Sequence, residues 1–144
     1  MKSLTIIIGV LSGLMLSSCE KEEGFDFRLI EGTYVGTFHR SSPTTKWDGS
    51  SVALVFENGA FSGSSSSPKY PAICEGTYTI TGTHGIDFTE TCVWTADFDW
   101  SFILSGRYDV NYVGDELIIS RSYGDQTYDT YRLKREANSI SSGT

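Results

Sequence analysis

Apolar and polar residues alternate in short runs along most of this chain. Tyr34, Gly36 and Phe38 fall on one side of an extended segment, with Thr33, Val35 and Thr37 on the other. Val52, Leu54 and Phe56 repeat the pattern up to an Asn58-Gly59 pair, after which Phe61 resumes it. A long even-numbered row runs through Phe102, Leu104, Gly106, Tyr108, Val110 and Tyr112. Leu117 and Ile119 continue after a Gly114-Asp115 turn, and Tyr131 and Leu133 close the series. A period of two belongs to strands with one buried face, and no window from Ile30 to Arg135 carries the 3.6 period of a helix. Short strands separated by Gly, Asn-Gly, Gly-Asp and Ser runs predict an all-β sandwich or barrel. The Asn-Gly pair supplies the positive φ angles of a tight hairpin turn. The rows named above are the predicted interior, and the Thr, Ser, Asp and Arg opposite them the predicted solvated wall.

The first nineteen residues follow a different rule. Lys2 precedes an apolar stretch from Leu4 to Leu16 and then Leu16-Ser17-Ser18-Cys19. A positive start, a short apolar run and small residues before a cleavage point read as a secretory signal, because a bilayer-spanning helix needs about 20 apolar residues. Leu16-Ser17-Ser18-Cys19 resembles the lipobox of bacterial lipoproteins. That resemblance implies cleavage after residue 18, lipidation of Cys19 and attachment to the outer membrane through several acyl chains. The Glu20-Lys21-Glu22-Glu23-Gly24 run reads as part of a solvated tether over residues 19–29. Lys21-Glu22-Glu23 also resembles the export signal that sends some lipoproteins to the cell surface; the periplasm-facing leaflet is the alternative.

Charge narrows the partners. The chain has 11 basic and 18 acidic residues, and loss of Lys2 with the signal leaves a net charge near −8. Such a protein is not expected to bind nucleic acid, nor an anionic membrane surface without its lipid.

Three cysteines divide in the same way. Cys19 is expected to carry the lipid. Cys74, Gly76, Tyr78 and Ile80 alternate inward, a turn spans Thr83-His84-Gly85, and Ile86, Phe88, Glu90 and Cys92 alternate inward again. A turn centred on Thr83 opposes Ile80 to Ile86, Tyr78 to Phe88 and Cys74 to Cys92. Directly opposed strand residues sit about 4.5–5.5 Å apart at Cα, within disulfide range, and an exported chain meets an oxidising compartment. A Cys74–Cys92 bridge is the expectation, two free buried thiols the competing reading.

Glu31-Gly32-Thr33-Tyr34, Glu75-Gly76-Thr77-Tyr78 and Ser105-Gly106-Arg107-Tyr108 each place Gly two residues before Tyr, a pairing suited to strands that bend at a barrel corner. Gly32-Thr33-Tyr34 on the first strand and Tyr128 to Arg135 on the last resemble a small lipocalin-like lipoprotein of the calycin type. The resemblance implies an antiparallel up-and-down meander barrel of about eight strands over residues 30–135, followed by a polar tail at 136–144. In that group a basic residue of the last strand commonly covers a Trp of the first. Tyr34 stands in the Trp position here, and Arg135 shares the inward phase of Tyr131 and Leu133, which suits a cation–π lid.

Catalytic chemistry is not expected. His39 and His84 have no cysteine or carboxylate at metal-ligand spacing, and Ser64 to Ser67 lack a nucleophile context. Asp97 and Asp99 lack the further oxygens of a calcium loop, and no metal or cofactor is expected. Binding is the expected role. Arg121 lies in the inward phase and needs a partner, either Glu90 or an anionic ligand. Trp94, Phe98 and Trp100 flank an acidic loop and suit a sugar or a protein, or plug one barrel end. Tyr34, Arg135, Arg121, Trp94 and Trp100 are the candidate ligand-binding residues. Three readings follow: a lipid-anchored, non-enzymatic barrel holding a small ligand; a surface module whose loops bind an envelope protein or glycan, including inhibition of an extracellular enzyme; or a structural domain that only occupies the envelope. An open cavity lined by Arg121 favours the first; a filled barrel with an exposed Trp94–Trp100 patch favours the second. Ten aromatic rings in the predicted interior argue for filling.

Overall fold

A computed structural model describes residues 30–137; the signal segment, Cys19, the charged tether and all but the start of the polar tail lie outside the described residues. Eight strands follow one another: β1 (Gly32–Ser41), β2 (Ser50–Glu57), β3 (Ala60–Ser65), β4 (Glu75–Thr81), β5 (Gly85–Glu90), β6 (Gly106–Val113), β7 (Glu116–Ser122) and β8 (Tyr128–Arg135). Each pairs antiparallel with its sequence neighbour, and β8 returns to β1 to close the barrel. This is the eight-stranded meander that the alternation predicts, and it is consistent with a lipocalin-like fold. Closure removes both sheet edges, so no row of backbone donors and acceptors is left open to another chain.

The predicted interior is the interior, except that Ile80 and Tyr112 are only partly buried at its margin. Tyr34, Phe38, Leu54, Phe56, Phe61, Tyr78, Phe88, Phe102, Tyr108 and Tyr131 are all buried, with Leu104, Leu117, Ile119 and Leu133 between them. Their rings meet mostly edge to face, as Phe56 does with Tyr78 at 5.2 Å between centroids and Phe61 with Phe88 at 5.1 Å. Aromatic quadrupoles favour this geometry, and each ring fills volume that aliphatic side chains would leave open. The axis is packed rather than hollow.

Small residues permit the closure. A Cβ on Gly36 would sit 1.9 Å from the Arg132 carbonyl oxygen, so only glycine lets β1 approach β8 this closely at the seam. Gly106 opens β6 at φ +80°, the left-handed region where a side chain is strained.

Two expectations shift. The β4–β5 register is as derived, with Tyr78 opposite Phe88 and Ile80 opposite Ile86, but the turn is Gly82-Thr83-His84 because Gly85 already pairs with Thr81. The even-numbered row from Phe102 is not one strand. Residues Trp100–Phe102 form a 3-10 turn whose start is capped by Asp99, which accepts from the Ser101 amide at 2.9 Å. Phe102 and Leu104 still point inward because Ala72 holds this segment by backbone hydrogen bonds, its N–H donating to the Phe102 carbonyl and its carbonyl accepting from the Leu104 N–H. Burial phase survived where strand geometry did not.

The two ends of the barrel differ. Tight turns at 58–59, 82–84 and 114–115 share one end with the first residue of β1 and the last of β8. The longer connections, 42–49, 66–74, 91–105 and 123–127, gather at the other. The chain therefore enters and leaves at the tight-turn end, and the loop end faces the opposite way.

Candidate functional site at the loop end

Beneath the loops lies a polar cluster built on β1, β7 and β8. Arg40 continues the inward phase of Tyr34 and Phe38, and Asp129 that of Tyr131 and Leu133; register sets them directly opposite each other across the seam. Arg40 is 5% exposed and Asp129 1%. The guanidinium grips the carboxylate with both forks, Nε donating to Oδ1 at 2.6 Å and Nη2 to Oδ2 at 2.7 Å. Nη1 donates to the Ser101 hydroxyl at 2.8 Å and Nη2 also to the Ser101 carbonyl at 3.0 Å, while the group lies 3.6 Å over the Phe102 ring. Charge-assisted bidentate geometry with the remaining donors satisfied is the condition under which a buried ion pair is tolerated.

Arg121 joins this cluster. It donates through Nη1 to the Ser105 carbonyl at 2.8 Å and through Nη2 to the Ser101 carbonyl at 3.1 Å and to the Tyr123 hydroxyl. Its face covers Tyr108 at 4.3 Å. The Tyr123 hydroxyl accepts from both arginines and shares its own proton between the Ser101 carbonyl and Asp129, each at 2.8 Å. Burial and the bond to Asp129 push its pKa up to about 12, so it remains a donor at neutral pH. The partner expected for Arg121 was Glu90 or a ligand; the structure supplies backbone carbonyls and Tyr123 instead. Glu90 accepts from the Trp94 indole at 2.9 Å. The chemistry of this cluster is positional: two arginines pin the segment 101–105 to the barrel.

Above it, aromatic rings run across three loops. Trp47 stacks on Tyr70 at 5.9 Å, Tyr70 meets Phe98 edge-on at 6.4 Å, and Phe98 meets Trp94 at 5.7 Å. Trp100 is 58% exposed and Val93 99%. Both indole N–H groups are held internally, Trp94 on Glu90 and Trp100 on the Thr95 carbonyl at 3.1 Å. Val93, Trp94, Trp100, Ile103, Cys92 and Glu90 border an open cleft of about 460 Å³, mostly apolar in its walls.

The disulfide supports this cleft from below. Cys74 and Cys92 are bonded as derived, with Cα atoms 6.3 Å apart, wider than a directly opposed pair because both lie just beyond the ends of β4 and β5. The bridge ties the loop carrying Tyr70 to the loop carrying Trp94 and Trp100.

Lys69 fixes the acidic rim. Its ammonium lies 2.7 Å from Asp97 Oδ2 and 5.4 Å over the Phe98 ring. Hydrogen bonds from Lys69 and then from the Thr95 hydroxyl draw the Asp97 pKa down to about 2. A depressed carboxylate contributes to the fold above its unfolded pKa and stops doing so as pH falls through its folded value. Tryptophan fluorescence of the loop end is therefore expected to show an Asp97 step only as pH approaches about 2, separate from and below any change that Glu90, raised by burial, imposes on the Trp94 indole. Asp97→Asn should abolish that step; a step unchanged in the variant would remove Asp97 as its cause.

The remaining candidates sit elsewhere. Arg135 covers Tyr34 as expected, its guanidinium 5.3 Å from the ring and Nη2 donating to the Tyr34 hydroxyl at 2.8 Å. This pair closes the tight-turn end, far along the barrel from Arg121, Trp94 and Trp100. His84 lies exposed in its turn and His39 exposed on β1. The sequence reading missed Arg40, Asp129 and Tyr123. The signal for the first two was present, as opposite charges continuing inward phases on β1 and β8. The chain matches no protein-family model, no curated protein and no solved structure.

Proposed function

We propose that this protein is a lipid-anchored interaction module of the cell envelope, non-enzymatic, whose loop end binds a protein partner. The observation that carries the reading is the open cleft bordered by exposed Val93 and Trp100 and half-buried Trp94, at the end opposite to where the chain enters the barrel. A tether from Cys19 reaches the tight-turn end first, so the aromatic cleft points away from the membrane. Rings held by internal hydrogen bonds lose little entropy on binding, and aromatic side chains dominate interface energetics.

A protein suits the surface better than a glycan. The indole N–H groups and Asp97 already have partners, which leaves few polar groups for sugar hydroxyls, and Val93 and Ile103 offer aliphatic area that a glycan would cover without return. A small ligand in the barrel axis is the weaker reading. The rings of Phe56, Phe88, Tyr108 and Tyr131 occupy that space, and Arg121 has its Nη donors engaged.

Photo-crosslinking in intact cells tests the proposal. A crosslinking residue at Val93 should capture a discrete protein, and one at Val113, also exposed but at the tight-turn end, should not. Trp100→Ala should lower the yield at least about tenfold, the scale of a binding hot spot, without changing the melting temperature. Equal capture from both ends, or capture indifferent to Trp100→Ala, would remove the cleft as the site. Cys19→Ser should release the chain from membranes if the anchor is the lipid.

A further inference from the structure

The disulfide has a neighbour that structural bridging does not require. The Cys74 and Cys92 sulfurs and a carboxylate oxygen of Glu90 all lie within 4.8 Å of one another. Burial raises the Glu90 pKa, partly offset by the Trp94 and Cys74 N–H groups, and its Oε1 is buried without a hydrogen bond of good geometry. A buried carboxylate oxygen so poorly hydrogen-bonded is costly to the fold, and the Glu90 carboxylate lies beside two sulfurs.

We propose that Cys74, Cys92 and Glu90 form a site for a thiophilic divalent cation, Zn²⁺ or Cd²⁺, when the disulfide is reduced. An external dithiol delivers two electrons and two protons to the Cys74–Cys92 bond and leaves as its own disulfide; the cation then displaces the two thiol protons. In tetrahedral zinc the ligand atoms lie about 2.0–2.3 Å from the metal, which places them roughly 3.5–4 Å from one another. In the oxidised protein the two sulfurs are bonded to each other and lie within 4.8 Å of the carboxylate oxygen; after reduction, side-chain rotation at Cα atoms 6.3 Å apart separates them and brings both thiolates onto one ion. The carboxylate gains the cationic partner that it lacks. Cys92 and Glu90 also border the open cleft, which leaves the fourth position to water. Soft thiolates select zinc or cadmium over magnesium and calcium. Either the covalent bond or the ion would then clamp the loop that carries Trp94 and Trp100. The site does not depend on what the cleft binds.

The test uses the full chain carrying Cys19→Ser, so that only Cys74 and Cys92 can be thiols, reduced with a phosphine that adds no competing thiol. Titration with Cd²⁺, followed by the ultraviolet thiolate-to-metal absorbance, should show one ion per chain, displaced by Zn²⁺ and absent from the oxidised protein. Affinity should rise with pH, because binding releases protons. Glu90→Gln keeps an acceptor for Trp94 and should weaken binding by more than the roughly 10–100-fold of a residue that merely supports a ligand. Cys74→Ser/Cys92→Ser should show no band. Near-UV circular dichroism of the reduced chain reports folding, and the ion should restore any signal lost on reduction. Absence of the band, one ion shared between two chains, or undiminished affinity in Glu90→Gln would each overturn the proposal.

Discussion

Arg40→Met is expected to lower the unfolding free energy by about 3–5 kcal/mol. The substitution keeps the apolar stem but strands the Asp129 carboxylate, 1% exposed, with Tyr123 as its remaining side-chain donor. It also frees the Ser101 hydroxyl and removes the cation from the Phe102 face. Arg40→Lys should rescue little, since an ammonium cannot match the two-pronged grip on Asp129. The double variant Arg40→Met/Asp129→Leu should recover most of the loss, because replacing both charges with apolar groups removes the desolvation cost along with the attraction. Urea denaturation of the four proteins measures this directly. A single variant within about 1 kcal/mol of the parent would show that water reaches Asp129 and that the pair is not dry.

Removing the disulfide as Cys74→Ser/Cys92→Ser is expected to cost about 3 kcal/mol, the chain-entropy scale for closing a loop of 18 residues. For a domain of this size that corresponds to a melting temperature lower by roughly 10 °C. The effect should be uneven. The bridge joins the ends of the 66–74 and 91–105 loops, so amide exchange there should accelerate more than in β1, β7 and β8, whose pairing runs unbroken along the seam. A uniform increase across the barrel would mean that the bridge stabilises the whole fold through the unfolded state alone. An unchanged melting temperature would show that β4–β5 pairing holds the loops without it.

These two effects lie at different depths in the sequence. The β4–β5 hairpin was legible because each signal there is local: alternation sets the face, a glycine-containing turn sets the register, and the two together bring Cys74 to Cys92. The seam was harder. Arg40 and Asp129 are separated by 89 residues, and reading them as a pair requires knowing that the last strand returns to the first. Once β8 lies on β1, both fall opposite each other in inward phase, but charged residues at strand ends ordinarily signal exposure. The Arg135–Tyr34 lid spans a comparable distance and was legible only because a familiar strand pattern joins those two ends.

By itself the sequence determined the strand class, the face of nearly every strand and one cross-strand bond, because a period of two and a turn act within a dozen residues. Tertiary structure decided which end of the barrel each loop occupies. It turned Phe102 and Leu104 inward from a 3-10 turn rather than a strand, and it gave Arg121 carbonyl partners from Ser101 and Ser105 in place of Glu90. The physical reason is that alternation reports only whether a side chain faces in or out. Which buried group meets which depends on closure, and on the requirement that every charge brought inside finds a partner.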